Sequence, residues 1–368
     1  MNSKNLGTVS IGIRIPFIHQ NDDICKIITD SLFKAADESG IKFDNKDVIC
    51  ITESVVARAF NNYVSVDDIA QEVISKYGED ATVGVLYPIF SRNRFSMILK
   101  GIARGAKHVV IQLQHFKDEV GNEVFNKWTG VDIISFYRDI VEKEGAEVSI
   151  LQSNNIYDIL NLCDGNVIVA TLHDYMQDVS NIMNVIHSKY PAKRIYSLAD
   201  FCSVKTGKHG YCEFGLLGSN KATETTLKLF PQYEQCMQVC EYIQNQIFVH
   251  RGVKVEVLIY GDGCFKDPQT GIWEFADPVT SPGYTYGLNG KPNEVKLKYL
   301  IDTINDDTNI ENEIKNKKDN LVGDMISQGT TPRRYVDLLA SLADLTSGSG
   351  DKGTPVVWIK NYFKKYTD

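Results

Sequence analysis

The chain has 368 residues, of which 43% are hydrophobic, and a formal net charge of -8 at pH 7. That length suits two domains with a sizeable core. The acidic balance excludes a general nucleic-acid binder, which needs a basic surface, and no apolar run approaches the roughly 18 residues of a membrane span.

The opening, MNSKNLGTVSIGIRIPF, has no secretory apolar region with a cleavage site, so a soluble, cytoplasmic protein with no membrane partner is expected. Residues 8–18 read as a strand entering a Pro-containing turn. Asn21-Asp22-Asp23 then offers a helix N-cap, and Ile24, Ile27, Ile28, Leu32 and Ala35 fall at helical spacing up to Gly40. Asp47–Thr52 is a second strand, followed at once by Glu53, Ser54 and Arg58. Polar groups at the end of a buried strand are where α/β proteins place ligands. Residues 66–77 form another amphipathic helix.

From about residue 81 strands and helices alternate: strands at 82–87, 109–113, 148–151, 167–170 and 194–197, helices at 92–104, 131–144 and 174–189. This rhythm predicts a parallel or mostly parallel sheet with crossover helices. Arg92, Arg94, Lys100, Arg104 and Lys107 form the most basic segment, read either as a phosphate site or as a solvated helix face. Residues 205–231 read as a Gly- and Ser-containing loop, 233–248 as a helix, 303–320 as a polar surface helix or excursion, 333–345 as a helix and 355–359 as a final strand.

The eight cysteines (Cys25, Cys50, Cys163, Cys202, Cys212, Cys236, Cys240 and Cys264) include no CxxC pair, which fits reduced thiols better than a disulfide frame or a zinc site. The seven histidines form no HxxxH or HxH pair, and in His173-Asp174 adjacent side chains rarely face one another. Gly348-Ser349-Gly350-Asp351-Lys352-Gly353 matches GxGxxG by letter, but a helix precedes it and a strand follows, the reverse of a dinucleotide fingerprint. Its backbone N–H groups can still cradle an anion. In LIYGDGCFKDP, from Leu258, a buried strand delivers Asp262, with Lys266 and Asp267 close behind. Two carboxylates and a lysine in one turn can hold a metal ion and a phosphate, or can form an ordinary solvated turn with a local ion pair.

Taken in order, these pieces resemble the coenzyme F-420 γ-glutamyl ligases. The family's strand into a Leu-Pro-hydrophobic turn is similar to Ile15-Pro16-Phe17-Ile18. Its Thr-x-x-Val-Val-Ser-Lys-Ala run is similar to ITESVVARA, Ile51 to Ala59, with Arg58 at the lysine's place. Its His-Gly loop ending in Ser-Asn resembles His209-Gly210 through Ser219-Asn220. Its Ser-Asp-Thr-Phe-Gly strand end resembles Gly261–Phe265, and its last helix, glycine loop and Pro-Val-Val strand resemble 333–359.

The resemblance implies an α/β protein with a mixed α+β core. A ligase-like core would span 1–80 and 205–368, with an inserted α/β region at 81–204. It implies ligation of L-glutamate to an acceptor using GTP and Mg²⁺ or Mn²⁺, in a homodimer. It implies nucleotide contacts at Ile15, Pro16, Phe17, Ile18, Glu53, Ser54, Arg58, Asn220 and the loop with Gly348, Ser349, Gly350 and Gly353. Asp262 would ligate metal, Glu213 and Asp267 are candidates for further carboxylate ligands, and Asp262 and Lys266 would act on the transferred phosphate. Departures accompany the match: Leu217 stands where the family has an aspartate, Gly263 where it has a hydroxyl, and Ser349 where it has Glu or Gln. They motivate a second expectation, a non-catalytic relative serving as a ligand-binding or regulatory module.

Overall fold

The computed structural model describes residues 5–88, 94–114, 132–170, 175–191, 194–203, 214–261, 265–266, 273–274, 281–290, 297–316, 334–347, 352–364 and 367. Two compact units result: Met1–Ala59, Tyr233–Asp262 and Val279–Asp368 form the first, and Phe60–Gln232 with Gly263–Pro278 the second. The divisions between the units fall after residues 59, 232, 262 and 278.

In chain order the first unit contributes β1 (Val9–Ile13), α1 (Ile24–Ser39), β2 (Val48–Thr52) and α2 (Glu53–Ala59). The second follows with β3 (Tyr63–Ser65), α3 (Val66–Tyr77), β4 (Thr82–Leu86), α4 (Arg94–Arg104), β5 (His108–Leu113) and α5 (Ile133–Lys143). It continues through β6 (Glu147–Gln152), α6 (Asp158–Leu162), β7 (Val167–Val169), α7 (Tyr175–Lys189), β8 (Ile195–Ser197), β9 (Ser219–Lys221) and β10 (Thr226–Leu229). The chain returns through α8 (Tyr233–Arg251) and β11 (Glu256–Tyr260), then passes the short β12 (Phe265–Lys266) and β13 (Trp273–Glu274) of the second unit. It closes the first with β14 (Gly283–Tyr284), α9 (Leu297–Thr303), α10 (Asp307–Asn316), α11 (Tyr335–Ser347) and β15 (Val356–Lys360).

The first unit is a mixed five-stranded sheet in the order β1-β15-β2-β11-β14. β2 and β11 pair in parallel, and β15 runs antiparallel between β1 and β2. β11 and β15 are buried at every position and β2 at all but its last, as expected of strands covered on both faces. α11 lays Val336, Leu339, Ala340 and Ala343 over Val48, Cys50, Leu258, Val357 and Ile359. α8 packs against β11 and β14, and α1 against α8. The predicted cap of α1 is realised: the Asp23 side chain accepts from the Lys26 amide at 3.0 Å, and Gly40 ends the helix at φ 70°.

The second unit carries the predicted parallel sheet, in the order β6-β5-β4-β7-β8, with every neighbour parallel. The chain runs outward from β4 to β6, then returns to β7 and continues the other way, a doubly wound arrangement. α3, α4 and α5 contribute to the core on one face, while α6 and α7 belong to a second cluster with Leu86, Val110 and Val167. α3 opens with a full capping box between Ser65 and Asp68.

The described part of 205–231 is not simply a loop. It holds a 3-10 turn at Gly215–Gly218 and the strands β9 and β10, which join β3 in a small antiparallel sheet. α2 also departs from the sequence reading, which treats Glu53 to Arg58 as polar groups trailing a strand. Among the described residues no helix is long and apolar enough to cross a membrane.

Candidate functional site

The strand register of the first unit gathers several chain crossings at one end of its sheet. Ile13, the last residue of β1, pairs with Val356, the first of β15, and Val356 pairs with Ile51 near the end of β2. Thr52, the last residue of β2, pairs with Tyr260, the last of β11. The segments leaving or entering the sheet at that end are therefore Arg14–Ile18, Glu53 and its helix, Gly261, and the approach to β15 from Gly353. The order of pairing, not proximity in sequence, brings them together.

Hydrogen bonds fix these segments. The Ile15 amide donates to the Gly353 carbonyl at 3.4 Å and the Thr52 amide to the Pro355 carbonyl at 3.0 Å. The Thr354 hydroxyl donates to the Ser347 carbonyl at 3.0 Å, tying the approach to β15 to the last residue of α11. The loop after β1 is held at its far side, where the Asn21 amide donates to the Ala59 carbonyl at 2.9 Å. Within this frame Ile18 is buried while Phe17 is 91% exposed. Glu53, the first residue of α2, is only 1% exposed, a carboxylate on the favourable end of the helix dipole. Ser54 and Arg58, one helical turn apart, share a face of α2, half-buried and exposed respectively.

In the second unit, Asn220 sits on β9, and the Arg94 guanidinium donates to its side-chain oxygen at 2.8 Å. Leu217, partly buried, packs against the large apolar cluster, so an apolar side chain stands at the family's aspartate position. The two ends of the segment bearing His209 and Glu213 are held together. The Leu216 amide donates to the Phe201 carbonyl at 3.1 Å, and a β-carbon on Gly215 (φ 52°) would lie 2.4 Å from that same oxygen. The Glu72 carboxylate accepts from the Cys202 amide at 2.9 Å.

The described residues bring Ile15, Pro16, Phe17, Ile18, Glu53, Ser54, Arg58 and Gly353 to one end of the first unit's sheet; Asn220 belongs to the second unit. Lys266 lies on β12, opposite Trp273. Asp262, Glu213, Asp267, Gly348, Ser349 and Gly350 lie outside the described residues, as do His173 and Asp174. Among the described residues no group of three or more His, Cys, Asp or Glu side chains stands where it could hold a metal ion. Sequence reasoning missed the Arg94–Asn220 pair, whose partners are 126 residues apart.

The family model described as F420-0:Gamma-glutamyl ligase matches residues 12–361. No curated protein matches the chain significantly. Among solved structures, the biosynthetic arginine decarboxylase SpeA from Campylobacter jejuni aligns over 52% of this chain and 29% of its own, at 8% identity and a TM-score of 0.13. The chain thus spans less than a third of that protein's length, and a likeness so slight carries no argument.

Proposed function

The chain belongs to the F420-0:gamma-glutamyl ligase family, and from that membership we propose that it forms an amide bond between L-glutamate and a carboxylate-bearing acceptor, driven by GTP with Mg²⁺ or Mn²⁺. In the proposed reaction the acceptor's carboxylate oxygen attacks the γ-phosphorus and GDP leaves. The glutamate amine then displaces phosphate from the acyl phosphate and loses its proton. The protein's task in such a transfer is positioning and electrostatic stabilisation.

The observation that carries this reading is the convergence, at one end of the first unit's sheet, of the segments whose family counterparts hold nucleotide. Backbone amides of a glycine loop and the Arg58 guanidinium suit phosphate oxygens. Asp262, which follows Gly261 at the end of β11, is the carboxylate suited to a hard divalent cation; metal dependence and the homodimer rest on family membership. The apolar Leu217, partly buried against the large cluster where the family has an aspartate, favours a second reading, a relative that binds nucleotide but has lost ligation.

Thermal unfolding with GTP or ATP, each with Mg²⁺ or Mn²⁺, separates these outcomes. A ligand at a hundred times its Kd adds about 2.7 kcal/mol to stability and raises Tm. No rise with any combination at millimolar concentration sinks both readings. A rise without GDP release, across acceptor carboxylates supplied with L-glutamate, favours the non-catalytic relative. Asp262→Ala should abolish the metal-dependent rise while leaving the unliganded transition intact.

A further inference from the structure

The described arginines of the first unit fall into two kinds. Arg251 donates to both oxygens of Asp37, at 2.8 and 2.9 Å, and Arg334 to both oxygens of Asp337, at 2.7 and 2.9 Å. Arg14 and Arg58 are exposed and, among the described residues, pair with no carboxylate. Both unpaired guanidinium groups belong to the same end of the sheet. Arg14 directly follows Ile13, the last residue of β1, and Arg58 lies in the last turn of α2, the helix that continues from β2.

The chain segment that begins at Arg14 is tied down at both ends. The Ile15 amide donates to the Gly353 carbonyl at 3.4 Å, and the Asn21 amide donates to the carbonyl of Ala59, the neighbour of Arg58, at 2.9 Å. Ile18 is buried between these ties. One short loop thus carries Arg14 at its start and closes beside Arg58. The carboxylates at its far end are used locally: Asp22 accepts from the His19 amide at 2.6 Å and Asp23 from the Lys26 amide at 3.0 Å. They serve the turn that opens α1 and leave both guanidinium groups to solvent.

A guanidinium carries five N–H donors in a planar fork that matches the oxygens of a phosphate. In a chain of net charge -8, two such groups without carboxylates at one sheet end form a local receptor for an anion with many oxygens. We propose that Arg14 is a second phosphate-contacting residue, and that Arg14 and Arg58 together clamp the polyphosphate of the nucleotide. The inference rests on the proposed function for the identity of that nucleotide. The clamp acts on phosphate oxygens and not on the base, so inorganic tripolyphosphate is also a ligand for it.

The test is calorimetric titration of the full chain with GTP and Mg²⁺, and separately with tripolyphosphate and Mg²⁺, beside thermal unfolding without ligand. Arg14→Met should weaken both ligands about ten- to a hundredfold, the loss of a charge-assisted contact. The unliganded Tm should stay within about 2 °C of the parent, because the side chain is exposed. Arg14→Lys keeps the charge without the fork and should fall between the two. Raising KCl from about 50 to about 500 mM should weaken the parent more than Arg14→Met, because the contact it retains is screened by salt. Arg251→Met removes a charge that Asp37 already answers, and should leave both affinities within about twofold of the parent.

Equal GTP affinity in Arg14→Met and the parent overturns this inference and leaves the proposed function standing. An equal loss in Arg251→Met also overturns it, since the effect would then belong to overall charge. A parent that binds tripolyphosphate through Arg14 but does not bind GTP supports the clamp and removes the proposed nucleotide. A parent that binds neither removes both. Should Arg14→Met fail to fold, Arg14→Gln takes its place in every comparison.

Discussion

Lys360 Nζ lies 2.7 Å from Asp47 Oδ2, with the lysine side chain 9% and the aspartate side chain 2% exposed. The pair joins the last strand of the first unit to the entrance of β2. The same ammonium donates to Asp44 at 2.9 Å and to the Lys42 carbonyl at 2.7 Å, and the Trp358 indole donates to Asp47 at 2.8 Å. Breaking a buried pair from one side leaves an uncompensated charge, so Lys360→Met should cost about 3–5 kcal/mol at pH 7.

The sign of the pH dependence follows from the aspartate. Burial holds the Asp47 carboxyl above its ordinary value, and the hydrogen bond from Lys360 partly offsets this. A carboxyl whose folded pKa exceeds its unfolded one takes up a proton more readily when folded, so its ionisation costs stability above the raised value. That cost is relieved as pH falls through the window down to the ordinary value near 4. Removing Lys360 raises the folded value further. The deficit of Lys360→Met relative to the parent should therefore shrink as pH falls from neutrality toward the ordinary carboxyl value in urea unfolding; a constant deficit would remove the charge as its cause.

How α4 is carried can be tested at Gly101. A β-carbon there would lie 2.5 Å from Ile69 Cβ and 3.2 Å from the Val66 carbonyl oxygen on α3. Gly101→Ala must push the helices apart and should destabilise by about 1–3 kcal/mol. The Ile69 β-carbon and Cγ2 are equally near, both at 2.5 Å, and alanine removes only the second, so adding Ile69→Ala should give at most a partial rescue. Full recovery of stability in the double variant would show that the closeness is relieved by the isoleucine's outer atoms.

Much of this fold is legible in the sequence, and for identifiable reasons. The second unit's sheet follows from short apolar runs alternating with amphipathic stretches, and its strands begin and end within a residue or two of the predicted bounds. The partner of β1 is not legible. β15 enters between β1 and β2, a pairing of chain ends that no local pattern encodes. α2 escaped because ESVVARA is too short to display a helical period, and β9 and β10 because glycines and polar residues surround them. The rule that ligands gather at strand ends picked out Glu53, Ser54 and Arg58. The basic segment containing Arg94 is visible in the sequence, but its contact with Asn220, 126 residues away, is set by tertiary structure.

The thiols give a prediction independent of function. Burial pushes Cys25 and Cys163 up to about 11, with the Asp23 carboxylate adding to the effect at Cys25. Burial also raises Cys50 and Cys240 well above the ordinary range. Reaction requires the thiolate and access. In native protein at pH 8, iodoacetamide should leave these four unmodified over the time in which denatured protein is fully alkylated. Rapid native alkylation at Cys240, read by mass spectrometry, would contradict the packing of α8 against β11.

Phe17 presents a large apolar ring to water, 91% exposed, from a loop whose next residue is only 4% exposed. Ile18 and the bond from the Ile15 amide to Gly353 anchor the backbone, so the ring projects from a fixed position at the end of the sheet where the glycine loop arrives. A ring so exposed adds little to unliganded stability, and Phe17→Ala should change unfolding by no more than about 0.5 kcal/mol. Stacking of an aromatic side chain on a base contributes about 1–3 kcal/mol. If the proposed nucleotide site is correct and a base rests on this ring, the same variant should bind GTP with Mg²⁺ about five- to a hundredfold more weakly, and Phe17→Trp should retain most of the affinity. The contrast between a silent unfolding curve and a weakened titration is what a stacking role demands. Equal GTP affinity in Phe17→Ala and the parent would mean that no base rests there, and would turn attention to the Arg58 face of α2 for the contacts that hold the nucleotide.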